Sequence, residues 1–315
     1  MFKYSLDNKR YHTLNYFYKT KFNSKVFKVA LNGNFSCPNK DGTKGIGGCI
    51  YCSPSGSGDF AGDIKDDLVK QFNKIRDIEL MKWPDAKYIA YFQANSNTYD
   101  TVDKLKERYE SVINLPDVVG LSIATRPDCF NNEIYDYLED LNKRTYLTIE
   151  LGLQTIKEDT LNLINRGHTT KEFEDCYKEL QIRGINVIVH IINGLPGETK
   201  EDMINTIKYL DSLNIYGIKI HMLHIVKNTK LADIYEKEPF HVLTKDEYID
   251  IVIDQLEYLN PKTIICRITG DPVKEDLIEP KWLLKKFVVL NDIDKEMVKR
   301  DSYQGKRRHI WVHLK

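Results

Sequence analysis

Cys37, Cys49 and Cys52 are the residues of this chain whose type and spacing are best suited to chemistry. In the segment CPNKDGTKGIGGCIYC (37–52), eleven residues separate the first two and two separate the last pair. Thiolates are soft ligands for zinc or for iron–sulfur clusters. A structural zinc site normally takes four protein ligands, and no fourth cysteine lies nearby in the sequence. Three thiolates on a four-iron cluster leave one iron open, as a cluster that binds a small molecule requires. Gly42, Gly45, Gly47 and Gly48 let the loop turn tightly around an inorganic core, and Ile50 and Tyr51 put no charge between the last two cysteines. Two other readings use the same residues: a zinc set completed by His12 or another side chain, and a CxxC redox pair. The remaining cysteines, Cys129, Cys176 and Cys266, read as small buried hydrophobes.

A loop of this kind needs a rigid frame, and the sequence supplies one. Six short β-branched or aromatic runs read as strands: 26–31, 87–92, 118–124, 146–151, 186–192 and 216–222. Apolar residues at helical spacing lie between them, such as Leu68, Phe72 and Ile75, or Met203, Ile207 and Leu210. Thr199 stands three residues before Asp202 in a capping-box arrangement, and Gly184 follows Arg183 where a helix should stop. Six βα units in succession imply parallel strands with helical crossovers. A doubly wound sheet usually carries a Gly-rich phosphate turn after its first strand, whereas here that loop carries cysteines. The expectation is therefore an α/β chain with a partial (β/α)6 barrel and its chemistry at the strand C-terminal ends. A helix over 244–260 and a strand over 263–268 follow, in a C-terminal α+β extension. The boundaries expected are an N-terminal arm over 1–24, the barrel over 25–225 and the extension over 226–315.

With 315 residues, 42% of them hydrophobic, the chain can bury one large core. No stretch approaches the ~18 consecutive apolar residues of a membrane span, and the first residues lack a secretory apolar run, so a cytoplasmic protein with no membrane partner is expected. The formal net charge of zero hides basic ends: residues 1–28 hold seven Lys or Arg against Asp7 alone, and residues 299–315 hold six against Asp301 alone. Both ends are also aromatic, with Tyr4, Tyr11, Tyr16, Phe17, Tyr18, Phe22 and Phe27 at the front and Tyr303 and Trp311 at the back. They read either as docked, solvated termini or as a phosphate-contacting surface whose rings stack on unpaired bases.

The loop CPNKDGTKGIGGCIYCSPSGSGDF (37–60) resembles that of the YhcC and YtqA type of radical SAM proteins, relatives of the Elongator catalytic subunit and of oxygen-independent coproporphyrinogen oxidase. The resemblance runs from RYHTLN (10–15) to DSYQGK (301–306), and the long first spacer is typical of this group. It implies a 4Fe-4S cluster on Cys37, Cys49 and Cys52 that binds S-adenosylmethionine and cleaves it reductively to a 5′-deoxyadenosyl radical. It also implies cofactor contacts from Tyr51, beside the adenine, and from Gln93, Asn95 and Ser96 in FQANSNTY (92–99). Glu150 and Gln154 of TIELGLQT (148–155), which alternate toward one strand face, and the following Arg166 belong to the same expected set. A structural salt bridge at Glu150 is the other reading of that residue, as a helix-end charge is of Arg166. Gly194, in INGLPGET (192–199), would bring backbone close to a flat ligand, though a tight strand-to-helix turn explains it equally. In SIATRPD (122–128) the relatives' Glu is replaced by Ala124, so no carboxylate contact is expected there.

Candidate substrate contacts are Arg267, Lys285 and Arg307, near the late segments CRITGDP, PKW and QGK. Arg267 beside a Gly-Asp turn suits a phosphate or a neighbouring acid. His190 and His221, in apolar strands, read as core residues or as substrate groups, and no residue is assigned a catalytic role. Relatedness implies modification of the tRNA wobble uridine side chain, from carboxymethylaminomethyl to aminomethyl uridine, with tRNA as partner and a flavodoxin- or ferredoxin-type electron donor. A small-molecule radical enzyme of the coproporphyrinogen oxidase type and a zinc-stabilised RNA-binding module without catalysis are the rival readings.

Overall fold

The computed structural model describes residues 2–308. Its elements follow the apolar patterns of the sequence. After α1 (Leu14–Phe22) the chain runs through β1 (Val26–Leu31), α2 (Leu68–Leu80), β2 (Lys87–Phe92), α3 (Val102–Ile113), β3 (Val118–Thr125), α4 (Asn132–Arg144) and β4 (Tyr146–Gln154). There follow α5 (Glu158–Leu163), α6 (Thr170–Ile182), β5 (Asn186–Asn193), α7 (Lys200–Ser212), β6 (Gly217–Met222), β7 (Ile225–Val226), α8 (Lys230–Lys237), α9 (Lys245–Tyr258), β8 (Ile264–Arg267), β9 (Leu277–Glu279) and α10 (Lys286–Lys299). Strands β1 to β6 and β8 pair in that order in a parallel half-barrel sheet, and β7 with β9 makes a separate antiparallel pair.

Two compact units compose the chain. One holds residues 18–152 and 166–188, the other residues 2–17, 153–165 and 189–308 of the described chain. In the first, β1 and β2 run in unbroken register from Val26 opposite Lys87 to Leu31 opposite Phe92. Each crossover helix buries one stripe: Leu105, Tyr109, Val112 and Ile113 on α3, Phe173, Cys176, Tyr177 and Leu180 on α6. Tyr109, Phe72 and Phe92 are fully enclosed, and each large buried side chain contributes about 1.5–3 kcal/mol of transfer free energy. In the second unit α9 buries Tyr248, Ile249, Ile251, Val252, Ile253 and Leu256 and keeps charged residues on its remaining surface, and the amides of Gln255 and Asn193 bond to each other at 2.8 Å. Capping boxes start α6 (Thr169 with Glu172), α7 (Thr199 with Asp202) and α9 (Thr244 with Glu247), satisfying backbone N–H groups the helix leaves open.

Three findings go beyond the sequence reading. The strand TIICRI does not stand apart in an extension: its core, β8, pairs parallel with β6 and makes a seventh strand. The front aromatics are packing residues rather than an open stacking surface. Tyr11 and Tyr18 are buried, Tyr4 stacks on His12 at 4.8 Å and Phe17 meets Tyr216 edge-on at 5.9 Å, because rings with this much apolar area gain more from the core than from water. Cys266 is only half-buried, unlike Cys129 and Cys176. Trp311 and the basic tail past Arg308 lie outside the described residues. No described helix is long and apolar enough to cross a membrane.

Candidate active site

The cysteine loop begins just past the C-terminal end of β1 and is held by its own backbone. The Cys37 carbonyl accepts from the N–H groups of Lys40 and Asp41, at 2.8 and 3.1 Å, and the Cys49 carbonyl from that of Cys52 at 3.0 Å. Gly48 N–H closes the loop on the Asn39 carbonyl at 2.7 Å. Cys49 is buried and the other two are half-buried.

Two nitrogen donors converge on Cys49. Asn39 Nδ2 lies 3.7 Å from its Sγ and Arg166 Nη1 3.6 Å. The Cys52 thiol shares a hydrogen bond with it, and that bond, against the cost of burial and with the charges of Arg166 and Arg126, holds the Cys49 thiol well below its usual range. The same bond and burial push Cys52 up. Burial, and then Cys49, keep the Tyr51 phenol protonated. Beside its contact with Cys49, Arg166 donates from Nη2 to the Gly152 carbonyl on β4 at 2.9 Å, while its Nε–H is buried with no acceptor among the described residues.

A second layer fixes Arg166. Its carbonyl accepts from Arg126 Nη1 at 2.8 Å, and Arg126 makes a two-pronged pair with Asp128, both bonds 2.9 Å. Lys44 reaches the same carboxylate at 3.2 Å. Burial raises the Asp128 carboxyl, but Arg126 above all, with Lys44, brings it down to about 2. His168 Nε2 lies 3.1 Å from the Gly152 carbonyl, and burial with the two arginines keeps its ring neutral. Asn39, Lys44, Arg126, Asp128 and His168 were not among the site residues read from sequence. The Arg-x-Asp spacing of TRPD was the available signal, since it lets a guanidinium fold back on a carboxylate two residues on.

Gln93, Asn95 and Ser96, expected as cofactor contacts, tie the exit of β2 to the loop. Gln93 Nε2 donates to the Ser57 carbonyl at 2.8 Å, Asn95 Nδ2 to that of Phe35 at 3.1 Å, and the Ser96 N–H to that of Ser36 at 3.1 Å. Lys40 Nζ links Asn95 Oδ1 at 3.3 Å with the carbonyls of Ser53 and Pro54. Glu150 is fully engaged: Lys28 forms an ion pair with it, and Ser122 Oγ and Tyr91 OH each donate at 2.9 Å, which is the salt-bridge reading of that residue.

The other expected residues lie in the second unit. Gln154 ends β4 in the left-handed region, φ +78°. Gly194 has φ +83°, the left-handed region that favours glycine, and a Cβ there would press on the Leu243 side chain at 3.0 Å. Arg267 pairs with Asp271 at 3.1 Å, the neighbouring-acid alternative. Lys285 sits in a 3₁₀ turn at Lys281–Lys285, and Arg307 is held by Glu257 at 2.5 Å and Asp254 at 3.5 Å. His12, the candidate fourth zinc ligand, has its Nδ1 3.0 Å from the Lys262 carbonyl. Among the described residues no group of three or more His, Cys, Asp or Glu side chains is arranged around a single ion.

A parallel half-barrel with a three-cysteine loop after its first strand defines a protein of the radical SAM class. Residues 43–210 match the Radical SAM superfamily and residues 215–299 the Radical_SAM C-terminal domain. The chain is 52% identical to Bacillus subtilis (strain 168) YtqA over 305 residues, covering 97% of this chain and 95% of the relative. With Escherichia coli (strain K12) YhcC the identity is 32% over 279 residues, covering 87% and 88%. Its fold is also like that of the archaeal Elongator protein 3 of Methanocaldococcus infernus, solved with an N-terminal deletion: TM-score 0.66, 18% identity, 89% of this chain and 64% of that one. This chain belongs to the Radical SAM superfamily, within its YhcC-type family.

That family implies an iron–sulfur cluster and S-adenosylmethionine. The residues present fit such a group. They offer three thiols on one loop, one already acidified, and the buried Arg166 Nε–H, a donor beside the sulfur with no acceptor among the described residues.

Proposed function

We propose that this radical SAM enzyme reductively cleaves S-adenosylmethionine and uses the radical on the wobble uridine side chain of tRNA, from carboxymethylaminomethyl to aminomethyl uridine. The observation that carries the radical chemistry is the loop of Cys37, Cys49 and Cys52 with the Arg166 guanidinium on Cys49. Those three cysteines would hold the 4Fe-4S cluster. When bound, cluster and S-adenosylmethionine supply a one-electron cleavage that yields methionine and a 5′-deoxyadenosyl radical. The chain's own part is to hold and orient. Asn39 and Arg166 place N–H donors on the Cys49 sulfur, which steadies its thiolate form. Arg126 and Asp128 keep Arg166 in place through its carbonyl. Tyr51, kept protonated, and Gln93, Asn95 and Ser96, bonded to the loop, would shape the cofactor's surroundings. Gln154 and Gly194 are assigned to the same cofactor. Lys285 and Arg307 join Arg267 as substrate contacts.

The RNA substrate is supported by relatedness to the Elongator group and by the basic front of the chain, six Lys or Arg over residues 1–27 against Asp7 alone. A flavodoxin- or ferredoxin-type protein is the electron donor in this reading. The test is anaerobic reconstitution followed by assay of 5′-deoxyadenosine formed from S-adenosylmethionine and dithionite, for wild type and Cys49→Ala. Product from the wild type alone supports the radical chemistry. The tRNA reading is tested by mass analysis of wobble nucleosides in a deletion strain: accumulation of carboxymethylaminomethyl uridine supports it, and an unchanged nucleoside profile rejects it.

A further inference from the structure

We propose that the exposed face formed by the 3₁₀ turn Lys281–Lys285 and the first turn of α10 is a platform for single-stranded RNA, with the Phe287 ring stacking on an unpaired base and the Lys285 ammonium meeting a backbone phosphate. Val289, Ile293 and Met297, four positions apart, are the buried stripe of α10. Phe287, two residues before Val289, points the other way and is 77% exposed. Leu284, three and four residues before Phe287 and Val288, adjoins both, and these two neighbours are 42% and 44% exposed, so the three side chains make one apolar ridge on the surface. The ridge is held in place without being covered. Leu283 is buried, Trp282 Nε1 donates to the Leu243 carbonyl at 3.0 Å, and Lys286 Nζ donates to both oxygens of Asp271, at 2.7 and 3.0 Å. Asp271 follows the C-terminal end of β8, so this pair fixes the platform at the strand end where barrels of this kind carry their chemistry.

The charge around the ridge is of one sign. Residues 281–288 hold Lys281, Lys285 and Lys286 and no acid. Lys286 is neutralised by Asp271, but Lys281 gives its Nζ to the Leu277 carbonyl, an acceptor that leaves its charge uncancelled. Lys285 is exposed and pairs with no acid among the described residues. Farther along α10 the acids have cations of their own, Asp292 with Lys245 at 2.5 Å and Glu296 with Arg300 at 2.8 Å. A second copy of this chain would bring the same lysines against each other, so the face does not suit itself. Phosphates and bases alternate along a single strand, and an ammonium beside an open ring answers both: the cation meets the phosphate, and the flat base covers the ring. That the strand belongs to the anticodon loop of the substrate rests on the proposed tRNA reading.

The test measures binding of a fluorescein-labelled anticodon stem-loop RNA to the full-length holoenzyme by anisotropy at several salt concentrations. The variants are Phe287→Ala, Phe287→Tyr, Lys285→Gln and, as a control, Ile182→Ala, another exposed apolar residue, on α6. Circular dichroism confirms that each is folded. Phe287→Ala is expected to bind about tenfold more weakly, and Phe287→Tyr, which keeps a stacking ring, like the wild type. In Lys285→Gln the slope of log affinity against log salt is expected to become shallower by about 0.7, the share of one phosphate contact on a single strand. The control is expected to match the wild type. RNA binding that Phe287→Ala and Lys285→Gln leave unchanged in affinity and salt slope overturns the platform and keeps the RNA reading. No RNA binding by the wild type rejects both. If Phe287→Ala weakens binding of a labelled flavodoxin and leaves that of RNA intact, the face takes an acidic protein and the platform is overturned. A wild-type dimer in sedimentation that Phe287→Ala dissociates overturns it in favour of a second copy.

Discussion

Arg166 Nη1 stands 3.6 Å from the Cys49 sulfur while Nη2 of the same guanidinium holds the Gly152 carbonyl at 2.9 Å, so one side chain joins the cysteine loop to β4. The loop has no regular secondary structure, and its position therefore depends on such bonds. Replacing Arg166 by Gln leaves the Gly152 carbonyl short of a donor and removes an N–H from the sulfur. The expected cost is about 1–3 kcal/mol in urea denaturation. In the reconstituted protein the cluster's midpoint potential is expected to become more negative, because hydrogen bonds to ligand sulfur raise it; a redox titration followed by electron paramagnetic resonance checks this.

Substituting Cys37, Cys49 or Cys52 by Ala is expected to abolish retention of iron and sulfide after anaerobic reconstitution, as well as 5′-deoxyadenosine formation. Cys129→Ala, Cys176→Ala and Cys266→Ala are expected to keep both. Iron and labile-sulfide analysis decides, and a full cluster in any of the first three variants contradicts the ligand assignment.

The Lys28–Glu150 pair has a buried carboxylate that also accepts from Ser122 and Tyr91. Removing either partner takes a charge-assisted bond from a buried group, so Glu150→Leu or Lys28→Met alone is expected to cost about 1.5–3 kcal/mol. The double variant is expected to cost less than the sum. A double-mutant cycle from denaturant unfolding measures the coupling.

Asp128 sets an acid limit. Its carboxyl is held at about 2 by Arg126 against the effect of burial, below an unfolded value of about 3.9. A depressed carboxylate contributes stability that is present above the unfolded value and lost as pH falls toward the folded one, here from about 4 to 2. The contribution at neutral pH is roughly 2–3 kcal/mol. Asp128→Asn is expected to lower stability by at least this at pH 7 and by little at pH 2, read from unfolding curves at both.

Glu198 acts in the opposite sense. Burial first, with Asp202 adding to it, pushes its carboxyl up to about 7, and its Oε1 is buried without a hydrogen-bond partner among the described residues. Stability tied to this group is present below about pH 4 and lost as pH rises through 7. Glu198→Gln is expected to raise the melting temperature at pH 8 and leave it unchanged at pH 4.

Local pattern was enough for the frame. The runs 26–31 and 87–92 are the strands β1 and β2 residue for residue, and Thr199 with Asp202 and Thr244 with Glu247 form the capping boxes their spacing allows. Strand periodicity, helix stripes and caps involve residues a few positions apart, so the linear order contains them. The grouping of Cys37, Cys49 and Cys52 on one loop was legible for the same reason. Tertiary structure alone decided the rest. Arg166 and Cys49 are 117 residues apart, Lys28 and Glu150 122, and no local rule pairs them. That Ile264–Arg267 joins the half-barrel, and that Tyr11 and Tyr18 turn inward, depended on which surfaces the finished sheet left to cover. A side chain's type tells what it can bond to, and the fold determines which partner comes within reach.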